Sequence, residues 1–154
     1  MKHEETWDNF FNKHKKITEI VHTKNFFTEN SDWYRNICKD VDIVIHVAWY
    51  AEPGHFWTAA ENLQCVNESL ALLKAFGEQG GERVVMAGTC AEYDWGQGLC
   101  LESVTPRKPS TVYGTCKNAL QEILSIYSNQ FGLSSAWGRI FFLYGPKEHP
   151  SRLV

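Results

Sequence analysis

The chain has 154 residues, of which 44% are hydrophobic and 21% charged, and its formal net charge is −3. This length is enough for one domain with a real hydrophobic core, and the slightly acidic balance gives no electrostatic reason to bind nucleic acid. No apolar run approaches the ~18–20 residues of a membrane span, and the acidic N-terminus is unlike a signal peptide, so we expect a cytoplasmic protein without membrane contact.

The cysteines and histidines give no sign of a metal site. The five cysteines are odd in number and scattered, and most lie inside apolar segments. The six histidines form no cluster. The sequence therefore predicts reduced thiols that pack in a core, as expected in a cytoplasm, and no bound metal.

The first half of the chain contains two predicted strands and two predicted helices. Residues 17–22 have strand composition, and residues 31–39 can form a short helix that begins at a serine and an aspartate. Residues 42–47 are a nearly continuous β-branched run, which is typical of a strand buried on both faces of a parallel sheet. In residues 57–79 apolar side chains recur at helical spacing until two glycines end the pattern. The predicted buried stripe of this helix consists of Ala59, Ala60, Leu63, Val66, Leu70, Leu73 and Phe76.

The second half repeats this alternation. Residues 83–88 predict a second buried strand, residues 94–109 a long polar loop, and residues 110–131 a helix that ends at Gly132. Residues 135–143 predict a third strand. The predicted buried stripe of the second long helix consists of Val112, Cys116, Ala119, Leu120, Ile123 and Tyr127.

Strands that alternate with long helices predict an α/β fold with a parallel sheet. Because crossover connections are right-handed, a doubly wound sheet with helices on both faces is expected. Ligands of such sheets bind beyond the carboxyl ends of the strands. Residues 46–48, 89–93 and 138–142 lie at those ends, so the sequence predicts the functional site there.

Tyr113 and Lys117 are four residues apart at the beginning of the second long helix. Residues at this spacing are neighbours on one helix face, where an ammonium would lower the pKa of a phenol. The pair is a candidate for proton transfer near neutral pH. The spacing alone favours a surface tyrosine and a solvated lysine, but of the six tyrosines only Tyr113 has a lysine at this offset.

Further motifs accompany this pair in a fixed order. They are Asp42-Ile-Val-Ile-His46-Val-Ala48, Asn67, Gly88-Thr89-Cys-Ala-Glu-Tyr93, Tyr113-Gly-Thr-Cys-Lys117, and Arg139 through Tyr144-Gly-Pro146. Together they resemble the extended short-chain dehydrogenase/reductase family, which contains NAD(P)-dependent nucleotide-sugar epimerases, dehydratases and reductases. The resemblance extends from about residue 18 to the C-terminus.

The resemblance implies a role for each matching residue. Tyr113 would exchange a proton with a sugar hydroxyl or keto oxygen, and Thr89 would hydrogen-bond the same oxygen. Lys117 would lower the Tyr113 pKa and hydrogen-bond the nicotinamide ribose, so that both side chains also contact the cofactor, NAD or NADP. Further cofactor-binding or supporting positions implied by the resemblance are His46, Ala48, Asn67 and Asn25. The implied partners are a nucleotide-sugar substrate and a second copy of the chain, bound through the helices that carry Asn67 and Tyr113.

The chain also departs from the family pattern. It contains no glycine-rich turn of the kind that binds a dinucleotide pyrophosphate. We therefore expect residues 1–154 to be a partial NAD(P)-binding Rossmann-like domain, without the N-terminal glycine-rich unit and the C-terminal substrate lobe. Cys90-Ala91 replaces the Asp-Glu of sugar 4,6-dehydratases, which argues against dehydration, and Glu92 is expected to be structural or peripheral.

Three functional hypotheses remain open at this point. The first is an NAD(P)-dependent epimerase or reductase acting on a keto or hydroxyl carbon of a nucleotide-activated sugar. The second is a non-catalytic binding or regulatory protein of the same fold, and the third is an inactive truncated product. The aromatic loop of residues 49–57 either lines the cleft or covers surface.

Overall fold

The computed structural model describes residues 21, 23, 25–96, 98–143 and 145. It contains three parallel strands, β1 (Ile43–His46), β2 (Arg83–Thr89) and β3 (Ser134–Ile140), in the order β1-β2-β3. The predicted parallel sheet is confirmed. The strand predicted for residues 17–22 falls almost entirely outside the described residues, as do Tyr144 and Pro146 of the last motif.

Three α-helices connect and cover these strands. They are α1 (Ser31–Ile37), α2 (Glu61–Glu78) and α3 (Val112–Phe131), close to the predicted positions. The Thr111 side chain caps α3 by accepting a hydrogen bond from the Gly114 N–H at 3.0 Å. Gly132 ends α3 in the left-handed conformation, with φ of 70°, as predicted for a glycine at this position.

The register of the sheet aligns the carboxyl ends of the strands. Ile45 pairs with Val85, and Val85 in turn pairs with Ala136. Thr89, the last residue of β2, lies opposite Ile140 of β3. A short 3-10 helix, Cys90–Glu92, follows β2 directly and turns the chain over this edge. The edge is where a parallel sheet presents its functional groups.

The core lies between the sheet and the helices, but the predicted stripes are only partly correct. Leu73, Phe76, Cys116 and Leu120 are buried as predicted. Leu63 is 64% exposed, Ile123 43% and Val112 39%, and Ala60 and Ala119 are exposed as well, so these five assignments are wrong. The buried residues of α2 are Asn62, Cys65, Ser69, Leu72, Leu73, Ala75 and Phe76. Those of α3 are Gly114, Cys116, Lys117, Leu120, Leu124 and Ser128.

The helices cover one face of the sheet. Val84 and Met86 of β2 are buried on that face, within the hydrophobic core. On the opposite face Ile43 is 56% exposed and Ile45 69% exposed. The second helical layer of the predicted doubly wound fold is therefore not present among the residues that the structure describes. None of the described helices is long and apolar enough to cross a membrane.

Candidate active site

The structure brings Thr89, Tyr113 and Lys117 together at the carboxyl end of β2. Thr89 is the buried last residue of that strand, and Tyr113 is half-buried in the first turn of α3. The hydroxyl of Tyr113 is within hydrogen-bonding reach of the Thr89 side chain. Lys117 follows one turn later, buried, with its Nζ donating to the carbonyl oxygen of Ala87 at 2.7 Å. Thr89 and Tyr113 are therefore neighbours, and Lys117 lies one turn further along α3; their catalytic roles stay a prediction.

The electrostatics of Tyr113 differ from the prediction. Burial raises the pKa of Tyr113 above its ordinary value, and the hydrogen bond with Thr89 opposes that rise. The predicted lowering of this pKa by Lys117 is wrong for this structure. Helical spacing brings the two residues onto one face, but the Lys117 ammonium is directed at Ala87 instead.

Lys117 is a buried cation with unusual neighbours. Its Nζ lies 3.8 Å from the centroid of the Trp49 ring and 6.0 Å from that of Trp137. Burial lowers the pKa of Lys117 to about 8, although the negative charge of Glu92 acts in the opposite direction. The two indole rings offer a cation–π interaction in place of part of the lost hydration. The side chain can thus lose its proton at mildly alkaline pH.

Three aromatic rings surround Tyr113. The ring centroids of Trp49, Phe56 and Trp57 lie 6.3, 4.9 and 5.7 Å from that of Tyr113, all in edge-to-face geometry. The backbone N–H of Tyr113 also donates to the carbonyl oxygen of Trp57 at 3.1 Å. Of the two interpretations open for this aromatic loop, the structure favours the one in which it lines the site.

Asn62, which the sequence analysis did not identify, supports this aromatic loop. Its Oδ1 accepts from Trp49 Nε1 at 2.8 Å, and its Nδ2 donates to the carbonyl oxygens of Phe56 and Ala59 at 2.7 and 2.8 Å. Asn67, the predicted supporting residue, is exposed and its amide donates to Glu68. The correction follows from helix phase, because Asn62 lies on the inner face of α2. The sequence alone does not distinguish Asn62, because its burial depends on the phase of α2.

His46 and Ala48, predicted near the cofactor, line a cavity of about 260 Å³ together with Phe26. Ser69 Oγ donates to the carbonyl oxygen of Cys65 at 2.6 Å, so it accepts from His46 Nε2 at 2.7 Å. Burial, reinforced by the positive charge of Lys117, lowers the pKa of His46 to about 4. His46 is therefore a neutral imidazole whose proton is on Nε2.

Asn25 is exposed and is not among the residues that line this cavity. Its carbonyl oxygen accepts a hydrogen bond from the Thr28 N–H at 3.1 Å, which begins the 3-10 helix Phe26–Thr28. The contact of Asn25 with the cofactor stays a prediction.

Reactive thiols and metal ligands are not features of the described site. All five cysteines are free, and burial raises the pKa of Cys90 and Cys116, the two beside the site. Among the described residues, no group of three histidine, cysteine, aspartate or glutamate side chains is arranged to hold a metal ion.

A sequence model of the NAD dependent epimerase/dehydratase family matches residues 2–154. A protein of Bacillus subtilis (strain 168), described as the uncharacterized UDP-glucose epimerase YtcB, is 31% identical over 123 residues. That match covers 75% of this chain and 37% of the relative. The chain therefore spans little more than a third of the length of this curated relative.

Solved structures give a similar result. The UDP-N-acetylglucosamine 4-epimerase of Bacillus cereus is 25% identical with a TM-score of 0.69, over 94% of this chain and 56% of that structure. A dTDP-glucose 4,6-dehydratase from Streptomyces venezuelae, solved with NAD bound, has a TM-score of 0.74 at 21% identity, over 97% of this chain and 46% of that one. The second likeness shows the fold alone.

Proposed function

The chain belongs to the NAD dependent epimerase/dehydratase family, and from this we propose that it carries the catalytic side chains of an NAD(P)-dependent enzyme. The proposed reaction is epimerisation or reduction at a keto or hydroxyl carbon of a nucleotide-activated sugar. The observation that carries the proposal is the meeting of Thr89, Tyr113 and Lys117 at the carboxyl end of β2. A cytoplasmic setting belongs to the same proposal, because the five free cysteines suit a reducing compartment.

The proposed roles follow from the chemistry of each group. Tyr113, whose raised pKa keeps it a phenol at neutral pH, donates its proton to the substrate oxygen or takes it back in the reverse direction. Thr89 donates a hydrogen bond to the same oxygen and stabilises the charge that develops there. Lys117 uses one N–H at Ala87, so two of its three donors remain for ribose hydroxyls.

The described residues fit one end of a dinucleotide cofactor. Lys117 offers its free N–H donors at the carboxyl end of β2, and an apolar cavity of about 260 Å³ is lined by His46 and Ala48 at the carboxyl end of β1. NAD(P), when bound, exchanges a hydride with the sugar carbon. The pyrophosphate would need a glycine-rich turn that this sequence does not contain. The fit is therefore to the nicotinamide and ribose end.

Within the family, two subclasses are distinguished by the residues after Thr89. Dehydration requires an acid and a base next to the catalytic hydroxyl, and this chain has Cys90 and Ala91 there. Glu92 cannot replace them, because its side chain is completely buried and bound to Arg139. We therefore favour an epimerase or a reductase.

A second candidate function is a non-catalytic binding protein of the same fold. The observation that favours it is the Trp49 ring, whose centroid lies 3.8 Å from Lys117 Nζ, where a ribose hydroxyl would otherwise bind. An intact catalytic enzyme would require this ring to yield its place to the cofactor.

A homodimer is the proposed assembly. On α3, the exposed Ile123 and Ile126 line an apolar groove with Tyr127. On α2, Leu63 is exposed as well. These side chains lie on the two long helices that the sequence analysis assigned to the contact between copies.

Titration with NADH and NADPH tests the proposal on this chain. Because Trp49 lies at the site, we expect saturable energy transfer from tryptophan to the reduced nicotinamide. Lys117→Met should weaken cofactor binding about tenfold or more, since a charge-assisted hydrogen bond contributes ~1.5–3 kcal/mol. Lys74→Met, on the exposed face of α2, should bind like the parent.

Turnover distinguishes the two candidate functions. In a complete protein that also carries the glycine-rich unit and the substrate lobe, and with UDP-sugars as substrates, Tyr113→Phe should lower turnover by ~10²–10⁴-fold while cofactor affinity stays the same. Cofactor binding without any turnover of UDP- or dTDP-sugars would support the non-catalytic candidate. If neither NADH nor NADPH binds at millimolar concentration, this result would contradict the proposal that this chain is an enzyme and the proposal that it binds NAD(P).

A further inference from the structure

Glu92 is a fully buried carboxylate, with 0% of its surface exposed. Its Oε1 accepts from the Thr89 backbone N–H at 2.8 Å and from Trp137 Nε1 at 3.0 Å. Its Oε2 accepts from Arg139 Nε at 2.6 Å and from Trp137 Nε1 at 3.2 Å. The carboxylate thus joins the end of β2 to two neighbouring side chains of β3.

Stability alone does not explain this arrangement. Removing a carboxylate and a guanidinium from water costs several kcal/mol per ion, and a buried ion pair is often no more stable than an apolar pair of the same volume. Arg139 Nη2 is also buried without a hydrogen-bond partner, which adds to the cost. The ion pair provides an acceptor, Glu92 Oε1, for the Thr89 N–H, and an apolar pair would not provide one.

The missing side chain of Gly88 leaves the space that this acceptor occupies. A Cβ on Gly88 would lie 2.0 Å from Trp137 Nε1 and 2.7 Å from Glu92 Oε1. Only glycine therefore lets both side chains approach the strand. We call Gly88, Glu92, Trp137 and Arg139 the Glu92 cluster.

The cluster determines how the Thr89 hydroxyl is used. Thr89 has an extended backbone, with φ of −146° and ψ of 149°, and its Oγ1 accepts from the Ala91 N–H at 3.2 Å. The bond from Ala91 leaves the hydroxyl proton of Thr89 free to be donated, and both the Tyr113 phenol and the Cys90 thiol are within its reach. Glu92 and Thr89 bind each other's backbone in a reciprocal cap, so the position of the hydroxyl depends on the carboxylate.

We propose that Glu92 is a positioning residue of the active site: held by Trp137 and Arg139, it fixes the Thr89 backbone so that the hydroxyl faces Tyr113. This inference rests on the roles proposed above for Thr89 and Tyr113. Glu92 does not reach substrate or cofactor and acts only through Thr89. An amide at position 92 can still accept from Thr89, but its NH₂ group would then face the donors of Trp137 and Arg139.

A double-mutant cycle measured by NMR tests whether Glu92 controls the contact between Thr89 and Tyr113, and it does not require enzymatic activity. Protein labelled with ¹³Cζ-tyrosine gives a Tyr113 resonance that is assigned by its loss in Tyr113→Phe and that reports hydrogen bonding of the phenol oxygen. In the parent, we expect Thr89→Val to shift this resonance. In the Glu92→Gln background, we expect the same Thr89→Val change to produce little or no shift.

Two further variants make the cycle decisive. Glu102→Gln removes an exposed carboxylate of the loop after β2 and should leave the Thr89→Val shift at its full size. If Glu92→Gln does not fold, Trp137→Phe removes one donor of the cluster and should still reduce the shift. Equal shifts in the parent and in the folded cluster variant would overturn the proposal, and so would the absence of any Thr89→Val shift in the parent.

The outcome separates this inference from the proposed function. Failure of NADH or NADPH to bind would contradict the proposed function and leave the coupling between Glu92 and Thr89 measurable. Equal shifts with intact cofactor binding would remove the role of Glu92 and leave the assignment of Tyr113 and Lys117 in place.

Discussion

Burial shifts the three titratable side chains around the end of β2 towards their neutral forms. It raises the pKa of Tyr113, lowers that of Lys117 to about 8 and lowers that of His46 to about 4. In the same region, Arg139 Nε lies 2.6 Å from Glu92 Oε2. A site of low polarity strengthens each hydrogen bond that is made within it.

His46 gives this environment a measurable effect on stability. The unfolded chain binds a proton at His46 below pH about 6.5, whereas the folded chain does so only near pH 4. Because the unfolded state binds more protons in this window, stability falls as the pH decreases from about 6.5 to about 4, by up to about 3 kcal/mol. In urea unfolding, the free energy of unfolding of His46→Leu relative to the parent should therefore increase as the pH falls from 7 to 4.5.

His55→Leu is the matched control, because His55 is exposed in the loop before α2. Its difference from the parent should not vary over the same pH range. A constant difference for His46→Leu would show that the buried imidazole does not resist protonation.

At the scale of single residues, the sequence suggested a shared site for Thr89, Tyr113 and Lys117 only through the order of the surrounding motifs, since the spacing of Tyr113 and Lys117 alone favours a surface pair. It was not enough to give the sign of the Tyr113 pKa, because that sign depends on how much water the fold removes. Nor did it separate Asn62 from Asn67, since both occur in one helix and only the phase of α2 places Asn62 inside.

At the scale of elements, the helices and strands were predicted well and their buried faces less well. Asn62 and Ser69 take inner positions on α2, where they bind Trp49 and His46. A hydropathy pattern assigns such polar residues to the exposed face of the helix. The predicted buried face is then rotated about the helix axis relative to the observed one. Leu63 was placed inside for this reason and is exposed; on α3, where Lys117 and Ser128 are buried, Ile123 was misplaced in the same way.

The approach of α3 to the 3-10 helix Cys90–Glu92 is the contact between elements that brings Tyr113 to Thr89. Gly114 is buried there, and a Cβ on it would lie 2.5 Å from the carbonyl oxygen of Ala91. Gly114→Ala should therefore push α3 away and lower the free energy of unfolding by about 1–3 kcal/mol, with the helix preference of alanine offsetting part of the loss. It should also shift the Tyr113 ¹³Cζ resonance.

Gly138→Ala is the control for this change, because a Cβ at Gly138 meets nothing within 4 Å. It should leave both the stability and the Tyr113 resonance close to those of the parent. Similar stability losses for the two variants would argue that the close contact at Gly114 is not a constraint on the fold.

At the scale of the whole molecule, alternation of strands and helices predicted the parallel sheet, and one of its faces is uncovered within the described residues. Ile43, Ile45 and Val47 are exposed on β1 and just after it. Hydrophobic runs predict burial on both faces, but they do not say which segment provides the cover. The sequence could therefore predict the sheet and not the extent of its helical layers.

The second exposed apolar surface, on α3, gives the proposed homodimer its test. Ile126 is 58% exposed, and a glutamate there would bury an unpaired charge in an interface between two copies while remaining solvated in a monomer. We expect the parent to show a concentration-dependent dimer in light scattering after size exclusion, and Ile126→Glu to be monomeric with unchanged circular dichroism.

Val104→Glu is the control, because Val104 lies in an exposed loop, and it should dimerise like the parent. A dimer that persists in Ile126→Glu would exclude the α3 groove as the contact, because two desolvated carboxylates facing each other would cost more than the apolar contacts could offset.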